Sequence, residues 1–213
     1  MDPEVLGRMA LPAMLVAFVA TLLVWPVRRL RRETGAQAIT IHRDDAPGQR
    51  VGALAFLGVQ LGVAALALAY AVGGAGAVGA WPVGASVVWA GIGLGVAGLV
   101  GVAVAQRQMG ASFRIGIDSQ PTPLVDRGVF RVVRNPIFAG ILTLLAGVVL
   151  IVPGPSSFAL WIAAFAAIAW QTRLEERHLL ALHGETYRRY AERTGRFLPG
   201  VGRFARPAHT EGI

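Results

Sequence analysis

The sequence predicts an all-α helical bundle that crosses a membrane about five times. Composition, five apolar segments and the placing of the arginines predict it. Of 213 residues, 54% are hydrophobic and 15% charged, where a soluble domain carries roughly a quarter charged residues. Mean hydropathy is +0.56. Gly and Ala crowd the apolar runs, which suits close helix packing in lipid. All 20 basic residues are Arg. The net charge of +8 does not point to nucleic acid, because the arginines stand at the ends of apolar runs, where water and headgroups meet. With no cysteine, disulfides, zinc–thiolate sites and cysteine nucleophiles are excluded.

The apolar segments are about 9–27, 51–72, 84–105, 137–152 and 157–172. A simple span needs roughly 20 residues, so the first three suffice and the last two are short. Pro153-Gly154-Pro155-Ser156-Ser157 separates those two. Two prolines around a glycine do not continue a helix, so spans 4 and 5 are expected to form a hairpin with a tight turn. The first segment opens with Asp2 and Glu4 and is followed by Arg28, Arg29, Arg31 and Arg32. That is the pattern of a retained span and not of a removed leader. The chain divides into 1–105, with spans 1–3, and 106–213, with spans 4–5 and a cytoplasmic C-terminal helix.

Arginine sets the orientation. The N-terminus holds one, Arg8. The first loop holds six, the third five and the C-terminal tail eight, while the second and fourth loops hold none. The positive-inside rule places the N-terminus outside and the C-terminus in the cytoplasm. An odd number of spans is required, and five satisfies it. The expected home is a bacterial inner membrane.

Two polar sequences flank the last two spans, on the cytoplasmic side. In Arg134-Asn135-Pro136-Ile137-Phe138-Ala139-Gly140, Asn135 suits an N-cap and Pro136 the first helical position. A helix start with free N–H groups is an anion site, and Arg134 adds a permanent charge. Taken alone, the local pattern favours an ordinary capped start with a snorkelling arginine. The second sequence follows Gln171-Thr172-Arg173, where the fifth segment leaves the membrane. In it Glu175, Leu179 and Leu182 fall near one helical face. Glu175 or Glu176 can accept hydrogen bonds from a ribose or pair with a cation. The plainer reading is local pairing of Glu176 with Arg173 and of Glu185 with Arg188 or Arg189. Tyr187 and Tyr190 read as an interfacial aromatic belt. His42, Asp44 and Asp45 share a loop without a partner cluster, so no metal site is expected. The Gly-rich third span, with Gly91, Gly93, Gly95, Gly98 and Gly101, suits packing against another helix.

Together these residues resemble the isoprenylcysteine carboxyl methyltransferase family and its relatives among phospholipid methyltransferases. The likeness covers roughly 106–200. It rests on Leu124-Val125-Asp126-Arg127-Gly128-Val129-Phe130, on the Arg134–Gly140 sequence, and on Glu175-Glu176 with Leu179, Gly184, Tyr187, Tyr190 and Pro199. The resemblance implies S-adenosylmethionine as methyl donor, bound by Thr122, Pro123, Leu124, Val125, Phe130, Asn135, Pro136, Ile137, Phe138 and Glu175. In that picture backbone groups at 136–138 meet the methionine carboxylate, and Glu175 meets a ribose or amino group. Arg134 and Glu175 are the catalytic candidates, and Gln171 and Arg173 lie where the acceptor binds. Partners would be membrane lipids and a lipophilic acceptor bearing an amine, hydroxyl or carboxyl group.

The sequence departs from the family at three places. Asn135 stands where the family usually has His, and Phe138 where it has Tyr. Gln171 stands where prenylcysteine-type enzymes resemble one another in an Arg, four residues before the first Glu. A substrate carboxylate would lose its partner there, which argues against a prenylcysteine substrate. Sterol reductases, which use a reduced nicotinamide cofactor, resemble the family in the helix start and the Tyr-rich tail. They carry an acid just after the helix-4 motif, where this chain has Ile141 and Leu142. The remaining alternative is a non-catalytic membrane scaffold.

Overall fold

The computed structural model of the protein describes residues 2–25, 27, 28, 32, 47–110 and 123–205. Among these are six α-helices: α1 Pro3–Val19, α2 Pro47–Val78, α3 Ala85–Met109, α4 Pro136–Ile151, α5 Pro155–His183 and α6 Glu185–Arg193. A π-helical turn, Ala20–Val24, continues α1, and a 3-10 turn, Gly128–Arg131, precedes α4. Four helices (α1 with its extension, α2, α3 and α5) are long and apolar enough to span a membrane, and α4 is a shorter apolar helix. The all-α bundle is therefore the observed fold.

Helix α4 explains how a short span is tolerated. Its 16 residues rise only about 24 Å, against a hydrocarbon core of about 30 Å. It is sheathed by its neighbours, with Gly140, Ile141, Leu142, Leu144, Leu145, Gly147, Val148 and Ile151 all buried. Its main partner is α3, not the hairpin mate α5. Glycines make that approach possible. A Cβ added at Gly98 would lie 2.6 Å from the Gly140 carbonyl oxygen, and one at Gly91 would lie 2.8 Å from that of Gly147. Small residues let backbones touch where lipid supplies no hydrophobic drive between helices. The expectation for the third span thus holds for Gly91, Gly95 and Gly98, while Gly93 faces open space. This seam joins spans 3 and 4 across the 105/106 division.

The turn between α4 and α5 is tighter than the sequence suggests. Pro155 is already in the first turn of α5, and only Val152, Pro153 and Gly154 lie between the helices. Ser156 and Ser157 belong to α5 and donate to the carbonyls of Val78 and Gly154 at 3.0 Å each. The Trp81 N–H donates to Pro153 O at 2.7 Å. The two arginine-free loops therefore meet at one end of the bundle, as alternating spans require.

At that same end α2 breaks. Gly74 has φ 69° and ψ −161°, a conformation open to glycine and not to other residues. Arg8 donates to Ala71 O and Val72 O at 2.9 Å each, while Glu4 accepts from the Ala75 N–H at 3.2 Å. The backbone groups freed by the break are thus answered from the first turns of α1.

Candidate active site

At the opposite end, the tail folds back onto the start of α4. Val133 and Gly195 form an isolated parallel bridge. The Arg134 and Asn135 N–H groups donate to Gly195 O at 2.8 Å and Arg196 O at 3.1 Å. The backbone thus joins 133–135 to 195–196, and the side chains of Arg134 and Arg196 carry the link on to Glu176.

Arg134 is the centre of this bracket. Its side chain is 1% exposed. Nε donates to Glu176 Oε1 at 3.1 Å, one terminal nitrogen to Ala191 O at 3.0 Å and to Thr194 O, and the other to Gly202 O at 2.9 Å and Glu176 Oε1 at 3.0 Å. A guanidinium has five donors, and all five are engaged. The Phe204 ring lies 5.1 Å from its central carbon. Glu176 also accepts from Arg196, at 2.7 Å on Oε2 and 3.2 Å on Oε1. A lone buried carboxylate would be costly, so two guanidiniums sharing one acid is the arrangement that makes the burial tolerable. Glu176 pairs with these two arginines across the fold, not with Arg173.

Asn135 stands at the N-cap position of α4 with Pro136 in the first turn, yet its side chain makes no cap bond. Its amide instead reaches Glu176 Oε1 at 3.5 Å and Arg196 O at 3.4 Å. The carboxylate, distant in sequence, wins because it is charged. Pro136 has no N–H, so the donors of this first turn are Ile137 and Phe138, which by position have no carbonyl four residues back within the helix. On α5, Glu175 is half-buried and accepts from Gln171 Nε2 at 2.9 Å. The Gln171 carbonyl oxygen lies 2.7 Å from where a Cβ on Gly52 of α2 would stand. Arg173 is exposed.

The apolar residues that the sequence assigns to the site are placed as follows. Phe130 is 6% exposed, Leu124 packs on Tyr187 and Tyr190, and Val125, Ile137 and Phe138 are half-buried. Pro123 is exposed, and Thr122 lies outside the described residues. The two tyrosines form no interfacial belt. Tyr187 and Tyr190 are 1% and 5% exposed, and the Tyr190 hydroxyl donates to Phe130 O at 2.7 Å. Burial pushes both phenols up, so they remain neutral donors. Gln108 of α3 accepts from the Val129 N–H at 2.7 Å and ties the 3-10 turn to the bundle. Residue-by-residue reading misses the structural weight of Glu176, Arg196 and Gln108. For Glu176 a signal exists: it falls on the buried stripe Ile168, Thr172, Glu176 of α5, where an acid demands a cation. For Gln108 there is none. Among the described residues no three His, Cys, Asp or Glu cluster to hold a metal; His42, Asp44 and Asp45 lie outside them.

The apolar helical bundle, with its polar motifs converging on the start of a short buried helix, fits the class of integral membrane methyltransferases. Residues 82–186 match the family model described as phospholipid methyltransferase. The fold is similar to that of a eukaryotic intramembrane Ras methyltransferase, isoprenylcysteine carboxyl methyltransferase. The TM-score is 0.65 at 16% identity, covering 96% of this chain and 70% of that one. No curated protein matches the sequence. The protein is a methyltransferase of this membrane type.

Proposed function

We propose that the protein transfers the methyl group of S-adenosylmethionine to a lipid-soluble acceptor at the cytoplasmic face of the membrane. The observation that carries this is the docking of the Glu175-Glu176 turn beside the first turn of α4 through Arg134, Glu176 and Arg196. The residues suit an amino-acid nucleoside. The N–H groups of Ile137 and Phe138, at the positive end of the α4 dipole, suit a carboxylate. The Glu175 carboxylate suits an ammonium or a ribose. Leu124, Val125, Phe130 and Phe138 offer an apolar wall for a purine, and Thr122, Pro123, Asn135 and Pro136 complete the cradle.

When bound, the donor supplies an activated methyl on a sulfonium sulfur. The chain's own part is to bind, align and exclude water. Helix α4 is short and sheathed, so its N-terminus is recessed among its neighbours. Glu175 is placed to contact the ligand and to accept the proton an acceptor loses. Arg134, its donors all engaged, acts as a positioning residue that fixes the acidic turn against α4. Gln171 and Arg173 border the acceptor's side, and 106–213 is the catalytic region built on spans 1–3. The orientation, N-terminus outside and C-terminus cytoplasmic, follows from the arginine distribution and puts the site where soluble nucleotides occur.

The test is calorimetry on detergent-purified protein with S-adenosylmethionine, S-adenosylhomocysteine and a reduced nicotinamide dinucleotide phosphate. Micromolar binding of both adenosyl ligands, roughly −8 kcal/mol, lost in Glu175→Ala, is expected. Binding of the nicotinamide alone would sink the reading.

A further inference from the structure

We propose that the turn 197–201, in the arginine-rich tail, is a wedge seated in the lipid leaflet beside the Arg134 bracket, with its tip in hydrocarbon. The inference does not depend on which cofactor the site takes.

The tail changes character here. Between Arg196 and Arg203 run Phe197, Leu198, Pro199, Gly200, Val201 and Gly202, without a charge. The turn closes on itself. The Arg196 N–H donates to Val201 O at 2.7 Å, and the Val201 N–H to Leu198 O at 3.2 Å. Gly200, with φ 76°, supplies the left-handed residue of the bend. Leu198 and Val201 are left 61% and 60% exposed, two large apolar side chains on one tight turn.

Phe197 fixes where that turn lies. Its ring meets Phe165 edge-on with centroids 6.3 Å apart, and Phe165 stacks on Trp161 at 5.9 Å. Phe197 also packs against the main apolar core. Phe165 belongs to α5, which is long and apolar enough to cross a membrane, and is 43% exposed on it. The first charge of α5, Arg173, comes eight residues later, about 12 Å nearer the water. The Phe197 ring therefore joins the span on the lipid side of that charge, and the exposed turn continues a surface that lipid covers. Apolar side chains beside such a surface are more stable in hydrocarbon than in water. Irregular backbone is not tolerated at the hydrocarbon centre, so the tip stops about 5–10 Å into the headgroup–acyl boundary. Charge agrees with that depth. Arg203 is exposed, and its guanidinium lies 3.5 Å from where a Cβ on Gly200 would stand. An arginine folded over an apolar turn suits lipid phosphates. The wedge is tied to the bracket, because Arg134 donates to Gly202 O and Arg196 pairs with Glu176. Lipid that seats the tip thereby holds the bracket at the membrane surface.

The chain has no cysteine, so a single introduced thiol carries a single spin label. Leu198→Cys and Val201→Cys are labelled in the full chain and reconstituted into vesicles of phosphatidylcholine and phosphatidylglycerol. Leu57→Cys, on an exposed face of the α2 span, is the hydrocarbon reference, and Arg189→Cys, exposed on α6, is the aqueous one. All four positions are exposed, so the fold is kept. Collisions of each label with molecular oxygen, which enters hydrocarbon, are compared with those of a water-soluble nickel chelate, which is excluded from it. Both tip labels should give an oxygen-to-nickel ratio about tenfold or more above that of Arg189→Cys and approaching that of Leu57→Cys. A ratio near that of Arg189→Cys puts the tip in water and overturns the proposal. Few collisions with either reagent mean that protein covers the tip, from this chain or a second copy, and overturn it as well.

Discussion

The two ends of the bundle hold a helix in place with the same parts and very different energetics. At the end that holds the α4–α5 turn, Arg8 and Glu4 clamp the break in α2, their closest charged atoms 4.0 Å apart and their side chains 38% and 43% exposed. At the opposite end, Arg134 and Glu176 are 1% and 6% exposed and pair at 3.0 Å, with Arg196 closing the other carboxylate oxygen. The exposed clamp is screened and replaceable; solvent can take over either charge. The buried one is expensive to break, because whatever remains is a buried charge without its partner. Rigidity is concentrated where the short helix α4 begins, where we propose that the methyl donor binds.

The largest test of that contrast is Glu176→Ala. It strands Arg134, and unfolding in detergent should show a loss of about 3–5 kcal/mol together with loss of adenosyl-ligand binding. Glu4→Ala, its counterpart, should cost at most about 1 kcal/mol. Equal losses would erase the distinction. Next comes the seam that seats α4. Gly98→Val forces a side chain into the Gly140 backbone, and thermal unfolding should drop by about 1–3 kcal/mol, whereas Gly93→Val, in open space, should be silent. A smaller effect is expected for Tyr190→Phe. It deletes the bond to Phe130 O and should cost about 1 kcal/mol, with weaker nucleoside affinity if the Phe130 wall forms part of the pocket. The smallest stability change belongs to Glu175→Gln. Its carboxylate has one side-chain partner, Gln171, so melting should hardly move while calorimetric ligand binding falls. A large stability loss there would make Glu175 structural.

Much of this was legible in sequence. Apolar runs, proline–glycine punctuation and alternating arginines predict the spans and their hairpin, because burial in lipid and charge at interfaces are properties of composition along the chain. The likeness of 106–200 to membrane methyltransferases was readable from the spacing of short polar motifs. What sequence left open was which polar groups are spoken for. Asn135 looked like a cap and became a partner of the sequence-distant Glu176; Tyr187 and Tyr190 looked like a surface belt and became core; Arg134 looked like a free charge and has no free donor. The third-span glycines announced a packing face, but only the fold chose α4 as its partner and left Gly93 outside. Those outcomes depend on contacts between residues 40–70 positions apart, such as Arg134 with Glu176 and Gly202. Local pattern decides which groups must be satisfied; tertiary structure decides by whom, since a buried donor takes the best acceptor that the packing brings within about 3 Å.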